Sequence, residues 1–264
     1  MAARCRSDLT HCMTNPASPF DHPEIYDGLF EGLDFDIAHW VDFARKGEGP
    51  ALDVACGTGR VLIRLLEAGV DADGVDISLP MLRHARGKVA QLGYGATLLE
   101  APMQTFAMPR RYRRIVCAFN SFAHNMTTAD QLATLRNIRE HLEPGGAFSM
   151  FLSFPRPELW TSGNDRVLEH EANWGEGRLR IYDTRHFNPV EQTQNSRVEY
   201  ELLDAMGRVS ALHVTYTDVR WVYKNELELL LTAAGFERFT IHGDFQGGQL
   251  LGKSDTMVVV AWKA

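Results

Sequence analysis

The sequence predicts an α/β domain built on a mostly parallel sheet, with an antiparallel β insertion, and three observations lead there. A short apolar strand, Ala51–Val54, runs into a Gly-rich turn over 56–59 and then a helix from Arg60. A second apolar strand over 70–75 ends in Asp76. Strand and helix patterns then alternate to about residue 154, the rhythm of a parallel sheet buried on both faces. Glycine belongs where a backbone turns sharply or lets a ligand come close. A strand feeding such a turn and a helix opens an α/β nucleotide site.

In chain order, residues 1–20 are polar, contain Pro16 and Pro19, and read as a flexible tail. Residues 24–46 have helical spacing in two segments around Gly32, with Ile25, Leu29 and Leu33, then Ile37, Trp40 and Val41. The first strand and its helix occupy 51–68, closed by Gly69. Ser78 suits the N-cap of the next helix, with Pro80 just inside it and Gly93 beyond its end. Third and fourth strands are expected over 96–100 and 115–119, a helix from Thr128 to before Pro144, and a fifth strand over 147–154.

The rhythm then changes. Between 155 and 223, alternation with turn signals predicts an antiparallel meander with strands at 178–187, 192–203 and 209–222. Trp160, Trp174 and Trp221 fall in it, so it must pack on something: it is a lid over the substrate cleft or a homodimer surface. A helix over 224–234 stops at Gly235, and 236–242 with 256–262 close the main sheet as an antiparallel hairpin. The expected units are therefore the tail 1–20, an α/β domain of 21–154 and 224–264, and the insertion 155–223.

At 264 residues and 45% hydrophobic, the chain is long enough for one domain with a full core. A formal charge of -7 argues against a nucleic-acid partner and is compatible with a neutral or cationic small molecule. The four cysteines have no CxxC spacing, so a reducing cytoplasm is expected and a disulfide framework is not. Arg4 and Arg6 are followed by no apolar core of a signal peptide. The longest apolar run, 257–262, is too short to span a bilayer, so no membrane partner is expected.

What the turn holds follows from what it lacks. Asp76, about twenty residues beyond the glycines, is placed to take a ribose hydroxyl pair, which points to an adenosine derivative. A dinucleotide fingerprint needs a third small residue so that the helix N-terminus can meet a pyrophosphate. That position is Leu62, and no Gly-Lys-Ser/Thr follows either. The turn suits a nucleoside without phosphates. Asp53 adds a carboxylate suited to an ammonium group, directly or through the loop amides. Adenosine with an amino-acid tail describes S-adenosylmethionine.

Asp53-Val-Ala-Cys-Gly-Thr-Gly59 together with Gly74-Val-Asp-Ile-Ser78 resembles the signature of class I S-adenosylmethionine-dependent methyltransferases. The resemblance continues through Ile115–Phe122 and Leu142–Gly146 and returns at Lys224–Phe236, covering most of the chain. Within that family the entry His22–Asp27 and the long insertion are similar to small-molecule methyltransferases, particularly the sugar-amine N-methyltransferases. The resemblance implies a Rossmann-like seven-stranded sheet with an antiparallel last strand, S-adenosylmethionine as cofactor and no metal. It also implies transfer by in-line displacement, in which positioning can supply roughly 7–11 kcal/mol of the barrier.

The candidate residues follow residue by residue. Gly57 and Gly59 meet the cofactor backbone-first, with Ala55 and Cys56 beside them; Asp76 takes the ribose and Ile77 flanks the adenine. Met81 and Phe119 lie within the implied cofactor reach. The family's acid after strand three is replaced by Pro102, so the adenine amine must be met by Met103, Gln104 or water. After strand four, His124 is the candidate proton acceptor and Asn120 the candidate orienting group, against plain capping and loop bonding. Tyr26 resembles the tyrosine lining the methyl site, against core packing. His22, Phe30, Arg156, Trp160, Arg178 and Trp221 are secondary candidates for the pocket wall. Cys5, His11 and Cys12 on the tail carry no metal reading. Two further functions stay open: an O-methyltransferase using His124 as base, and a cofactor-binding scaffold or sensor.

Overall fold

The computed structural model describes residues 18–264 except 31, 156 and 161–164, without the side chains of 159 and 160. Along the chain come α1 (Pro23–Phe30), α2 (Ile37–Arg45), β1 (Ala51–Val54), α3 (Arg60–Glu67), β2 (Ala72–Asp76), α4 (Leu79–Gln91) and β3 (Leu98–Glu100). Next are β4 (Tyr112–Cys117), α5 (Thr128–His141) and β5 (Leu142–Ser153), then the insertion strands β6 (Val167–Trp174), β7 (Gly177–Asn188), β8 (Thr193–Leu203) and β9 (Val209–Arg220). The chain closes with α6 (Lys224–Ala233), β10 (Arg238–His242) and β11 (Thr256–Trp262).

Seven strands form one sheet in the order β10-β11-β5-β4-β1-β2-β3. β11 runs antiparallel to both β10 and β5, and the remaining pairs are parallel. β1 is buried along its whole length because helices cover both faces. One face carries Leu52, Ile115 and Phe148 against Leu135 and Ile138 of α5 and Leu227 and Leu231 of α6. The other carries Ala51 and Val116 against Trp40 of α2 and Leu62 and Leu65 of α3. The strand order reverses beside β1, between β2 on one side and β4 on the other. A crevice therefore opens at their carboxyl ends, where open α/β sheets take ligands.

Two local devices set that crevice. Ser78 caps α4 by accepting from the Met81 amide at 3.4 Å, as its sequence position predicts. Gly74, inside β2, lets the turn after β1 lie close: a Cβ there would fall 2.8 Å from both Cys56 Sγ and Leu98 Cδ2. Gly74→Val is expected to destabilise the protein by about 1–3 kcal/mol through overpacking. Thermal unfolding followed by circular dichroism checks this, and an unchanged midpoint would contradict the close approach.

The insertion is a four-stranded antiparallel sheet, β6-β7-β8-β9. Leu179, Ile181 and Tyr200 on one face pack with Ile25 and Leu29 of α1, and the Trp174 ring lies against Gly28. That small core fixes the sheet over the crevice.

The structure departs from the sequence reading in three places. Ser18, Pro19 and Phe20, assigned to the tail, belong to a 3-10 turn in which the Ser18 hydroxyl accepts from the Phe20 amide at 3.2 Å. β6 was not anticipated. It is an edge strand, mostly exposed and rich in polar residues, so it lacks the buried-face alternation that marks its neighbours. The Pro144-Gly145-Gly146 turn lies inside β5 as an irregularity: pairing with β4 slips from Tyr112–Leu142 to Arg114–Ala147. No described helix is long and apolar enough to cross a membrane.

Candidate active site

The carboxyl ends of β1 and β4 concentrate unusual backbone. After β1, Ala55 (φ 60°), Gly57 (φ 54°) and Gly59 (φ 88°) are left-handed; after β4, so are Phe119 (φ 54°) and Asn120 (φ 60°). A bulky residue such as Phe119 rarely adopts this conformation, and such strain gathers at functional sites. The Cys56 amide donates to Val75 O at 3.0 Å, tying the first turn to β2. A cavity of about 710 Å³ lies between these two turns, α1 and the insertion sheet. That size falls within the roughly 300–1,000 Å³ of small-molecule sites.

One half of the cavity is walled by Ala55, Gly57, Asp76, Ile77, Met81, Met103 and Gln104. A Cβ on Gly57 would meet no protein atom within 4 Å, so the backbone there faces open space. Asp76 Oδ2 accepts from the Gly57 amide at 2.7 Å and Oδ1 from the Ser78 amide at 2.8 Å. These bonds hold the carboxylate at the cavity wall and leave it capacity for a further donor. Burial raises its pKa while the amides of Ser78, Gly57 and Ile77 pull it down. Ile77 is 67% exposed, an apolar side chain left bare at the cavity edge.

Below the Pro102 turn the polar contacts are arranged by a residue that sequence reasoning missed. Asn125, wholly buried, accepts from Gln104 Nε2 at 2.7 Å and Thr134 Oγ1 at 2.8 Å. Its own amide donates to Phe122 O and to the Met103 sulfur. With one N–H of its amide given to Asn125, Gln104 keeps its amide oxygen as an acceptor.

Three of the expected cofactor residues lie behind the wall. Asp53 is 2% exposed and accepts from the Leu62 amide at 3.1 Å, so it braces the start of α3. Burial pushes its carboxyl up to about 7, against the pull of the Arg60 guanidinium and the Leu62 amide. Cys56 is buried against Gly74, and its thiol is pushed up by burial. Gly59 starts α3 with Ile63 and Ala85 above it.

The sequence reading also missed a buried ion pair. Arg60 makes two 2.7 Å bonds to Asp36, which is wholly buried, and a third bond to Leu33 O at 2.8 Å. Trp40 Nε1 donates to Asp36 as well, at 2.9 Å. The guanidinium lies 4.9 Å from the Phe119 ring centre, so one arginine ties the α1–α2 segment to both turns. A long-range pair of this kind leaves no local pattern in the sequence.

The other half of the cavity is walled by Phe20, Tyr26, Phe30, Phe119, His124 and the insertion sheet. Burial raises the Tyr26 hydroxyl far above its usual pKa, so it remains protonated. His124 Nδ1 lies 3.1 Å from Asp218 O on β9. A carbonyl only accepts, so this nitrogen carries the proton and Nε2 keeps its lone pair. Burial lowers the pKa of this imidazole and Phe20 meets its ring edge-on at 5.5 Å, which keeps it neutral. Asn120 is not in the wall; its Oδ1 accepts from the Ser153 amide at 3.0 Å.

Of the secondary candidates among the described residues, only Phe30 reaches the cavity. His22 meets His213 at a tilt, Trp221 sits near Phe187, and Arg178 pairs with Glu171 at 2.6 Å. Arg156, Cys5, His11 and Cys12, with the Trp160 side chain, lie outside the described residues. Among the described residues no group of three or more His, Cys, Asp or Glu could hold a metal ion.

A family profile described as a methyltransferase domain matches residues 51–146. A dTDP-3-amino-3,6-dideoxy-α-D-glucopyranose N,N-dimethyltransferase of Streptomyces fradiae is 34% identical over 80% of this chain and 82% of its own length. A dTDP-3-amino-3,4,6-trideoxy-α-D-glucopyranose N,N-dimethyltransferase of Streptomyces venezuelae is 35% identical over 48% of this chain, spanning 54% of that protein. Among solved structures, DesVI of Streptomyces venezuelae superposes with a TM-score of 0.74 at 25% identity, covering 92% of this chain and 98% of that one.

Proposed function

The chain belongs to the S-adenosylmethionine-dependent methyltransferases, and from that premise we propose that it methylates an amine nitrogen of a small molecule. One observation carries this reading: the Gly57–Asp76 cradle and the Tyr26–His124 wall line the same cavity. The cradle fits a phosphate-free adenosine, because the turn faces open space while bulky Leu62 is buried in the core. When bound, S-adenosylmethionine supplies an electrophilic methyl carbon on a sulfonium.

The residues divide the remaining tasks. Asp76 accepts from the ribose hydroxyls, and Ile77 and Met103 flank the purine. Gln104 Oε1 accepts from the exocyclic amine, in place of the acid that Pro102 displaces. Gln104→Ala should then weaken S-adenosylhomocysteine binding by about five- to tenfold, the worth of one hydrogen bond of roughly 1–1.5 kcal/mol. Calorimetric titration checks this, and an unchanged affinity would contradict the assignment. Phe20, Tyr26 and Phe30 exclude water from the acceptor side, and His124 Nε2 can take the proton that the amine sheds.

An amine that enters neutral needs little base catalysis. His124→Ala is therefore expected to lower kcat by tenfold or less in a radiolabelled methyl-transfer assay. A loss of about 10²–10⁴, typical of general-base catalysis, would instead favour a hydroxyl acceptor. That second reading draws on the His124 tautomer, which suits a base.

A further inference from the structure

The wall below the Pro102 turn has a polarity fixed from the interior of the chain. Oxygen and nitrogen of a side-chain amide are told apart by their partners. Asn125 Nδ2 lies 2.9 Å from Phe122 O and 3.0 Å from Met103 Sδ, two atoms that only accept, so the NH2 end must face them. Asn125 Oδ1 then points the other way, accepting from Gln104 Nε2 at 2.7 Å and Thr134 Oγ1 at 2.8 Å. This orients the second amide in turn: Gln104 gives its nitrogen to Asn125 and turns its oxygen away. Asn125 is wholly buried, as are Phe122 and Thr134 beside it. Reversing it would set Oδ1 against a carbonyl and a thioether where no water relieves the mismatch, which is costly in the interior. The backbone of the turn does not depend on this amide. Pro102 O accepts from the Thr105 and Phe106 amides at 3.1 and 3.0 Å. Asn137 Nδ2 donates to Met103 O at 3.3 Å and Phe106 O at 3.1 Å. Asn125 therefore governs the side chains of Met103 and Gln104, which both line the cavity, rather than the path of the chain.

We propose that Asn125 is a positioning residue that sets the purine selectivity of the cofactor site, by holding Gln104 with its oxygen, not its nitrogen, toward the ligand. This rests on the reading of Gln104 Oε1 given above and deepens it. An aminopurine offers an N–H to that oxygen. An oxopurine, the deaminated form of the same ring, would bring a carbonyl against it, acceptor to acceptor. Asn125 touches neither the ligand nor the reacting atoms; it acts through Gln104.

The test is calorimetric titration of the full chain with S-adenosylhomocysteine and with S-inosylhomocysteine, which carries the carbonyl in place of the amine. The wild-type chain should bind the adenosyl compound tighter by about tenfold or more. Asn125→Leu, close in size and without polar side-chain atoms, should weaken S-adenosylhomocysteine and tighten S-inosylhomocysteine, because the freed Gln104 amide can rotate and donate to the carbonyl. A purely structural Asn125 would loosen both alike. Equal wild-type affinities, or both ligands loosened together in Asn125→Leu, overturns the proposal. Should that variant fail to fold, nuclear Overhauser contacts in the wild-type chain decide. Asn125 Nδ2 protons beside the Met103 methyl, with Gln104 Nε2 protons beside Thr134, support the orientation; the reverse pairing overturns it. Gln104→Ala keeps the two readings apart. Selectivity unchanged in Gln104→Ala removes Gln104 from the adenine edge, and this inference with it. Selectivity lost there but kept in Asn125→Leu overturns this inference alone.

Discussion

Asp76→Ala is expected to weaken S-adenosylhomocysteine binding by roughly ten- to a hundredfold. A hydrogen bond to a charged group is worth about 1.5–3 kcal/mol, and every 1.4 kcal/mol is tenfold in affinity. The carboxylate does two things at once: it faces the cavity, and it holds the Gly57 and Ser78 amides at 2.7 and 2.8 Å. Its loss therefore removes the proposed ribose acceptor and loosens the turn after β1. The fold should persist, because water at the part-exposed site can reach the freed amides. Calorimetry with unfolding midpoints separates the two effects. Wild-type affinity in a folded variant would remove Asp76 from the site.

Arg60→Leu is expected to cost about 3–5 kcal/mol of stability, the usual penalty for leaving a buried charge without its partner. Asp36 would keep only the Trp40 donor. The pH dependence should change as well, with a definite sign. Asp53 already sits near 7 because of burial, and Arg60 is the largest influence pulling it down. Without Arg60 the carboxyl rises further and, from about pH 4 upward, retains a proton that the unfolded chain has released. Stability then falls as pH rises through that window. The two chains should lose stability in parallel up to about pH 6, and the variant should go on losing it above about pH 7, where the parent's Asp53 has titrated, as measured by urea unfolding from about pH 4 to 9. Curves that stay parallel above about pH 7, or a loss under about 1 kcal/mol, would show that the pair is not the brace described.

What could be read in advance was local. The turn after β1 is written in glycines whose left-handed conformations other residues resist, and Ser78 caps α4 by its place beside the helix. Gly57, Asp76, Met103, Gln104, Tyr26 and His124 are reached by counting along strands and turns, and all six line one cavity. Long-range features were not legible. Asp36 and Arg60 are separated by a helix, a strand and the turns around them, and nothing in either neighbourhood announces the other. Asn125 looked like one more loop residue after β4, although it organises Gln104 and Met103. β6 escaped because an exposed edge strand has no face to pattern. The insertion-sheet wall was hardest: Asp183 and Arg185 line the cavity from a meander whose alternation fixes facing, not what it faces. Asn120 and His124 differ for a like reason, since only the fold decides which of two polar neighbours turns inward.

A crystal structure of the protein with S-adenosylhomocysteine tests the central claim most directly. The account predicts the ribose hydroxyls on Asp76, the purine between Ile77 and Met103 with its amine on Gln104 Oε1, and the sulfur facing Tyr26 and His124. A nucleoside bound elsewhere in the cavity, or a sulfur turned away from the insertion sheet, would contradict it.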